Sequence, residues 1–200
     1  MNPRAPVEIT DLALPGPASA VYAVVTQRAG TVYLRVSCTD HGDALRAVVI
    51  ADVPRLVRAW QRGTGPAWRG YGHRALECTR RSLGWGGLAA DQQRWGAYLG
   101  TAAWMSAEGY GQAGVAFAAG QGDPVPLATV RPQGPCGLQF TAGADNAMWM
   151  MAQGATAFPI ECGADSALRL AAMVGVTNSY AVGVEAIAHR KLYLNLQSVP

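Results

Sequence analysis

The sequence predicts an α+β fold: an antiparallel sheet with helices packed mainly on one face, and a C-terminal helix followed by a β-hairpin. Three observations support this prediction. Strand-like runs rich in Val, Tyr and Thr open the chain, an amphipathic helix follows them, and an apolar helix-like segment precedes alternating leucines at the end. Half of the residues are hydrophobic and 14% are charged, which excludes a generally disordered chain.

The first segment is predicted to be an extended arm. Residues 1–17 are rich in proline and include the strand-like run Val7–Leu14. Proline cannot donate to a sheet ladder and is tolerated at sheet edges, so the arm is expected to lie on the edge of the domain. The remaining residues, 18–200, are predicted to form a single α+β domain.

A hairpin and a third strand are predicted next. Ala20–Gln27 and Thr31–Cys38 are rich in β-formers, and the short turn Arg28-Ala29-Gly30 separates them. Ala44–Ala51 is predicted to be the third strand. A helix after three strands indicates an antiparallel sheet with that helix packed on one face.

The first helix is predicted from its cap and its apolar stripe. Asp52 suits the N-cap position and Pro54 suits the first turn. Four apolar residues recur at i, i+3, i+4 and i+7: Val53, Leu56, Val57 and Trp60. The helix is expected to end at Gly63 and to bury this stripe against the opening sheet.

The middle of the chain is dense in tryptophan and holds a candidate partner anchor. Trp85 is flanked by glycines, and an exposed loop aromatic is a typical anchor for a protein partner. Gly109–Gly122 lacks the spacing of a phosphate-binding loop and is assigned to turns and a close-packed strand. Strands are predicted at Val125–Val130 and Leu138–Thr141, whereas Asp145–Gln153 is compatible with either a buried strand or a core helix.

The C-terminal unit carries a catalytic hypothesis. A largely apolar helix is predicted over residues 163–175, followed by strands at Tyr180–Ile187 and Leu192–Leu196. The helix advances roughly 18 Å and the returning strand recovers that distance, which would bring His189 to the end of the unit that holds Cys162. A thiol at a helix N-terminus beside an imidazole gains acidity. The alternative is a core cysteine and a solvated histidine.

A short run in the second half resembles a known family. Gln133-Gly134-Pro135-Cys136-Gly137 resembles the Gln-Gly-x-Cys-Gly run of papain-like cysteine proteases. In that family the nucleophile follows three positions after this Cys, where the chain has Gln139. A looser papain-like template, with an attacking Cys a few residues after a Gln, implies Cys136 as nucleophile and Gln133 as part of an oxyanion site.

A second pair of residues resembles another family of cysteine enzymes. Glu161-Cys162 opens the predicted helix after an aromatic residue and is similar to the Glu-Cys stretch of small bacterial transglutaminases. That resemblance implies Glu161 and Cys162 as site residues. The family needs an acidic residue well downstream, and only Asp165 and Glu185 follow Cys162.

Composition narrows the possible partners. The net charge is +3, and no basic run with interleaved aromatics accompanies Arg55, Arg58 and Arg62, so nucleic-acid binding is not expected. No apolar run approaches the roughly 18 residues of a membrane span, and residues 1–6 open no signal-peptide hydrophobic region, so a cytoplasmic location away from the membrane is expected. The four cysteines lack zinc spacing, which predicts free thiols and neither a metal nor another cofactor.

Two functional hypotheses follow. The first is a soluble binding or assembly protein that recognises a protein partner without catalysis, since no complete catalytic constellation is present. The second is a cysteine-dependent acyl-transfer enzyme: a papain-like hydrolase, a deamidase or a transglutaminase. The sequence does not indicate an oligomeric state.

Overall fold

The protein is described from a computed structural model over residues 7–10, 19–37, 43–63, 107–177 and 180–187. The strands in these ranges are β1 (Val7–Thr10), β2 (Ser19–Thr26), β3 (Gly30–Ser37), β4 (Arg46–Asp52), β5 (Val125–Pro126), β6 (Ala128–Gln133), β7 (Gly137–Ala142), β8 (Ala157–Gly163) and β9 (Val182–Gly183). The α-helices are α1 (Val53–Gly63), α2 (Ala107–Ala118), α3 (Ala144–Ala152) and α4 (Ala167–Val174). The predicted α+β class is confirmed.

The first sheet has the strand order β1-β2-β3-β5. β1 and β3 pair antiparallel with β2, and β5 adds in parallel to β3. The predicted hairpin is confirmed, with Thr26 opposite Gly30 at its turn. Gly30 has a φ of 72°, which favours glycine, and the Thr26 hydroxyl accepts the Ala29 N–H at 3.1 Å.

The second sheet has the order β7-β6-β8-β4-β9. β4 pairs antiparallel with β8 along its whole length and with β9 on its other side, while β6 and β8 run parallel. The prediction that β4 extends the opening hairpin is therefore wrong, and the sheets are mixed rather than antiparallel. β4 is buried on both faces, since Ala47, Val48 and Val49 are all buried, which is typical of a strand in a sheet that is covered on both sides.

Helix α1 has its predicted boundaries and cap. The Asp52 carboxylate accepts the Arg55 backbone N–H at 3.0 Å, and Leu56 and Val57 are fully or almost fully buried. The helix packs against β7 and α4 rather than the opening hairpin, which corrects the expected packing partner. Trp60 meets Phe140 of β7 edge to face, with ring centroids 5.0 Å apart.

The glycine-rich stretch is helical, which corrects the predicted turns and strand. Most of it forms α2, followed by a 3-10 turn at Gly120–Gly122. Ala113 and Phe117 lie four residues apart on one buried helix face, and Phe117 stacks on Trp149 of α3 at 4.5 Å between centroids. This packing offsets the low helix propensity of glycine. The ambiguous segment 145–153 is helical, as α3.

The C-terminal unit follows its prediction only in part. A 3-10 turn at Ala164–Ser166 and α4 form the predicted helix, but the chain leaves it in an extended conformation at Gly175, with φ −62°, rather than a left-handed one. The predicted strand Tyr180–Ile187 is reduced to β9, and residues 184–187 are helical, with Val184 and Ile187 buried at helical spacing. β9 pairs with β4 rather than with a hairpin partner, and the predicted strand Leu192–Leu196 lies outside the described residues.

One buried cluster joins the two sheets. β8 contacts β1 and β2 of the first sheet, and its Phe158, Ile160 and Cys162 are almost completely buried. Residues of both sheets and of α1, α2, α3 and α4 belong to the same core. No helix in the part of the chain described here is long and apolar enough to cross a membrane.

Candidate functional site

A surface groove lies along α4, between the N-terminal part of α1 and the segment that leads to β9. It has a volume of about 400 Å³. We call it the α4 groove. Its lining includes Leu168, Ala171 and Ala172 of α4, Val176 and Tyr180 of the following segment, and Arg55 of α1.

Helix α4 is apolar on two faces, and only one of them is buried. Leu170 and Val174 face the core with no exposure. Leu168 is 81% exposed, and Tyr180 beside the groove is 82% exposed. Large exposed apolar side chains grouped around a concave surface are typical of protein-binding sites, because water is released when a partner covers them.

One wall of the groove is cationic. The Asp52 cap fixes the first turn of α1, and Arg55 in that turn donates from Nη1 to the Gly175 carbonyl oxygen at 3.1 Å. The guanidinium is thereby held at the groove. None of the described lining residues is acidic. The lining also includes the polar side chain of Thr177. The groove therefore combines apolar side chains with polar groups and a fixed positive charge at its edge.

The structure places Cys162 in strand β8, not at the N-terminus of a helix. Its thiol is buried and donates to the Ala47 carbonyl oxygen at 3.6 Å. Burial raises the pKa of Cys162 from 9.0 to about 11, and the charges of Glu161 and Asp165 add to this. A strand residue facing the core gains nothing from a helix dipole, so this position does not supply the acidic thiol of the catalytic hypothesis and fits the alternative of a core cysteine. The catalytic role of Cys162 stays a prediction. His189 lies outside the described residues.

Glu161 is engaged in a two-point ion pair across the second sheet. Arg46 on β4 donates from Nε to Oε1 at 2.8 Å and from Nη2 to Oε2 at 2.6 Å. Both side chains are largely shielded, at 26% and 14% exposure. The fork of donors matches the two carboxylate oxygens and fixes β4 against β8. The ion pair gives this carboxylate a structural function, and the predicted site role of Glu161 stays a prediction.

The papain-like run lies at the tip of the β6–β7 hairpin. Gln133 ends β6 opposite Gly137, and Cys136 is an exposed free thiol in the turn between them. Arg169 of α4 donates from Nη2 to the Gly134 carbonyl oxygen and so attaches the tip to α4. The catalytic roles of Gln133 and Cys136 stay predictions.

The remaining predicted site residue, Trp85, lies outside the described residues, and its role as a partner anchor stays a prediction. Within the described ranges, no group of three or more His, Cys, Asp or Glu side chains could hold a metal ion.

Two residues of the groove, Leu168 and Tyr180, were not predicted. Helix α4 was expected to be largely buried because it has a single polar stripe. The missed signal is the pair Leu168 and Ala172, four residues apart and next to Arg169 in the polar stripe. In the structure α4 buries Leu170 and Val174 and leaves Leu168 exposed.

The fold and the groove define an α+β protein with two mixed sheets and a partly apolar groove along helix α4. Residues 48–175 match the family of plasmid fertility inhibition factors, and this is more than half of the chain. The chain belongs to this family. The matched region runs from β4 to the end of α4 and includes the α4 wall of the groove.

A solved structure has the same overall fold. It is the crystal structure of an oncogenic suppression activity protein, described as a plasmid fertility inhibition factor and solved as a gold(I) cyanide derivative. The TM-score is 0.66 at 19% sequence identity, and the match covers 96% of this chain and 86% of that chain. No curated protein matches this chain.

Proposed function

We propose that this protein lowers the fertility of a plasmid, meaning its transfer between bacterial cells, by binding a protein partner through the α4 groove. The family supplies the biological process. The observation that carries the proposed mode of action is the exposure of Leu168 and Tyr180 around an apolar groove, since a monomeric protein rarely leaves such side chains grouped in the open.

The groove could inhibit plasmid transfer by binding alone, without a chemical reaction. The described thiols are an exposed one on a turn and a buried one with a raised pKa, and neither is part of the groove. An apolar groove with a positively charged edge can bind and hold a partner. Occupying a component of a transfer machinery is sufficient to block it, and no turnover is needed.

The experiment is a mating assay with a matched pair of substitutions. Donor cells carry one of a panel of self-transmissible plasmids and express the wild-type chain, Leu168→Glu, or Val115→Glu. Val115 is the control because it is 75% exposed on α2 and does not line the groove. Circular dichroism melting and soluble protein levels check that the three chains fold and accumulate equally.

We expect the wild type and Val115→Glu to reduce the number of transconjugants, and Leu168→Glu to restore transfer by about tenfold or more. A buried charge at a central apolar contact costs at least about 2 kcal/mol of binding, and 1.4 kcal/mol is a tenfold change. Equal inhibition by all three chains would exclude the groove as the contact. A wild-type chain that inhibits no plasmid of the panel would contradict the function.

A further inference from the structure

We infer that the α4 groove takes an acidic-apolar segment of its partner, in which apolar side chains enter the groove and acidic side chains on one flank meet a row of arginines on α1. This inference rests on the proposed function, because it names the chemistry of the partner at the same site. The inference is based on the position of the groove beside helix α1. Arg55 lines the groove, and further arginines follow it on the same helix.

The arginine row consists of Arg55, Arg58 and Arg62. Their spacing of three and four residues places them on one face of α1, and all three are exposed. From the first to the last the row extends roughly 10 Å along the helix. Arg55 lies at the groove itself, so the row begins where the apolar lining ends.

Apart from Asp52 at the N-cap, whose carboxylate keeps its charge, helix α1 carries no acidic residue that could neutralise the row. Helix α1 has no acidic residue in its first turn, and none follows to its end. The Asp52 carboxylate at its N-cap accepts a backbone N–H. The Arg55 guanidinium donates to a carbonyl oxygen, which leaves its charge unneutralised, and the described ion pairs involve Arg35 and Arg46 instead. A carboxylate of a binding partner could therefore accept hydrogen bonds from these arginine side chains.

The groove and the row together select one class of occupant. A purely apolar segment would leave the arginine row without partners, and a purely acidic one would not cover Leu168 and Tyr180. A basic segment would be repelled by three positive charges along its flank. An amphipathic segment with one acidic border satisfies both surfaces, as in helix-in-groove recognition.

The probes are two synthetic amphipathic peptides of about 18 residues with the same Leu and Trp face. One has glutamate on both borders of that face and the other has lysine. Each is labelled with fluorescein, and binding to the full chain is measured by fluorescence anisotropy at about 0.15 M and about 0.5 M NaCl. The chains are the wild type, Leu168→Glu, the double variant Arg58→Glu/Arg62→Glu, and the control Arg28→Glu, an exposed arginine on the β2–β3 turn.

We expect the glutamate peptide to bind the wild type about tenfold more tightly than the lysine peptide, and to lose most of this advantage at the higher salt concentration. Leu168→Glu should abolish binding of both peptides. The double arginine variant should remove or reverse the preference, and Arg28→Glu should leave it unchanged. Arg58 and Arg62 are exposed, so their substitution should leave the melting temperature within a few degrees of the wild type.

Several results would overturn the inference. Equal affinity for the two peptides, preference for the lysine peptide, or absence of binding by either would each do so. Displacement of the glutamate peptide by a duplex oligonucleotide at low salt would assign the row to nucleic acid. A dimer in sedimentation that Leu168→Glu dissociates would make a second copy the occupant. Inhibition of mating by the wild type but not by Leu168→Glu, with no charge preference for peptides, would leave the proposed function standing and remove only this inference.

Discussion

At the scale of single residues, environment decides the chemistry of each candidate side chain. Cys162 and Cys136 are both free thiols, but one is sealed in β8 and the other is exposed on a turn. Glu161 precedes Cys162 in sequence, and its carboxylate is directed to Arg46. Neighbours in sequence therefore serve different purposes, because alternate residues of a strand face opposite sides of the sheet.

The buried thiol leads to a prediction about pH. The folded state raises the pKa of Cys162 from 9.0 to about 11, so it holds the thiol proton more tightly than the unfolded chain does. Its contribution to stability is complete below pH 9 and is lost as the pH rises towards about 11. We expect the unfolding free energy of the wild type to fall by about 1 kcal/mol more than that of Cys162→Ala between pH 8 and pH 10, measured by urea titration.

The same environment predicts the order of thiol modification. With iodoacetamide at neutral pH, peptide mass spectrometry should show Cys136 alkylated in the folded protein and Cys162 only after unfolding, since a buried thiol with a raised pKa is inert. Rapid alkylation of Cys162 in the folded chain would contradict its burial. It would also favour the acyl-transfer hypothesis.

At the scale of elements, α1 is fixed by local signals and then by a close backbone contact. Its cap and apolar stripe form the helix, and its last residue, Gly63, packs directly on β7. A Cβ atom on Gly63 would lie 2.0 Å from the Leu138 carbonyl oxygen, and one on Gly137 would lie 2.6 Å from the Gly63 Cα. The contact is between backbone atoms of α1 and β7, so an added Cβ could not be accommodated by a change of side-chain rotamer.

This contact predicts that Gly63→Ala destabilises the protein, although alanine favours helices. We expect a loss of about 1–3 kcal/mol or more in unfolding free energy, the usual cost of overpacking. The matched control is Gly111→Ala in α2, where an added Cβ meets nothing within 4 Å. That variant should be neutral or up to about 1 kcal/mol more stable. Chemical denaturation of both variants would test this, and equal stability of the two would refute the close contact.

At the scale of the whole molecule, β8 holds the two sheets together. It lies beside β4 and β6 in the second sheet and contacts β1 and β2 of the first. Phe158 is fully buried and belongs to the core that both sheets share. The walls of the α4 groove come from α1, α4 and the segment before β9, three elements that are distant in sequence.

The shared core predicts one cooperative unfolding unit, which would support the single domain expected over residues 18–200. Phe158→Ala should cost about 3–5 kcal/mol, as a large buried side chain does. Hydrogen exchange should lose protection to the same extent in the β2–β3 hairpin and in β4 and β8. Retained protection in the hairpin after the second sheet has lost its own would show two independent units.

The sequence by itself determined the elements whose signals are local. The β2–β3 hairpin follows from its turn and its β-formers, and α1 follows from the Asp52 cap and the stripe that contains Leu56. The α+β class follows from the order of these patterns. Each depends on contacts between residues close in the chain, which is why spacing predicts them.

Only the tertiary structure decided the partners of these elements. β4 pairs with β8 and β9, which both come from the second half of the chain. Cys162 faces the core because of its position in β8. Leu168 faces solvent because α4 has two apolar faces and only one of them packs on the core. Arg55 meets the groove because α1 packs on α4. Such long-range pairings have no local signal, and the candidate site is assembled from them.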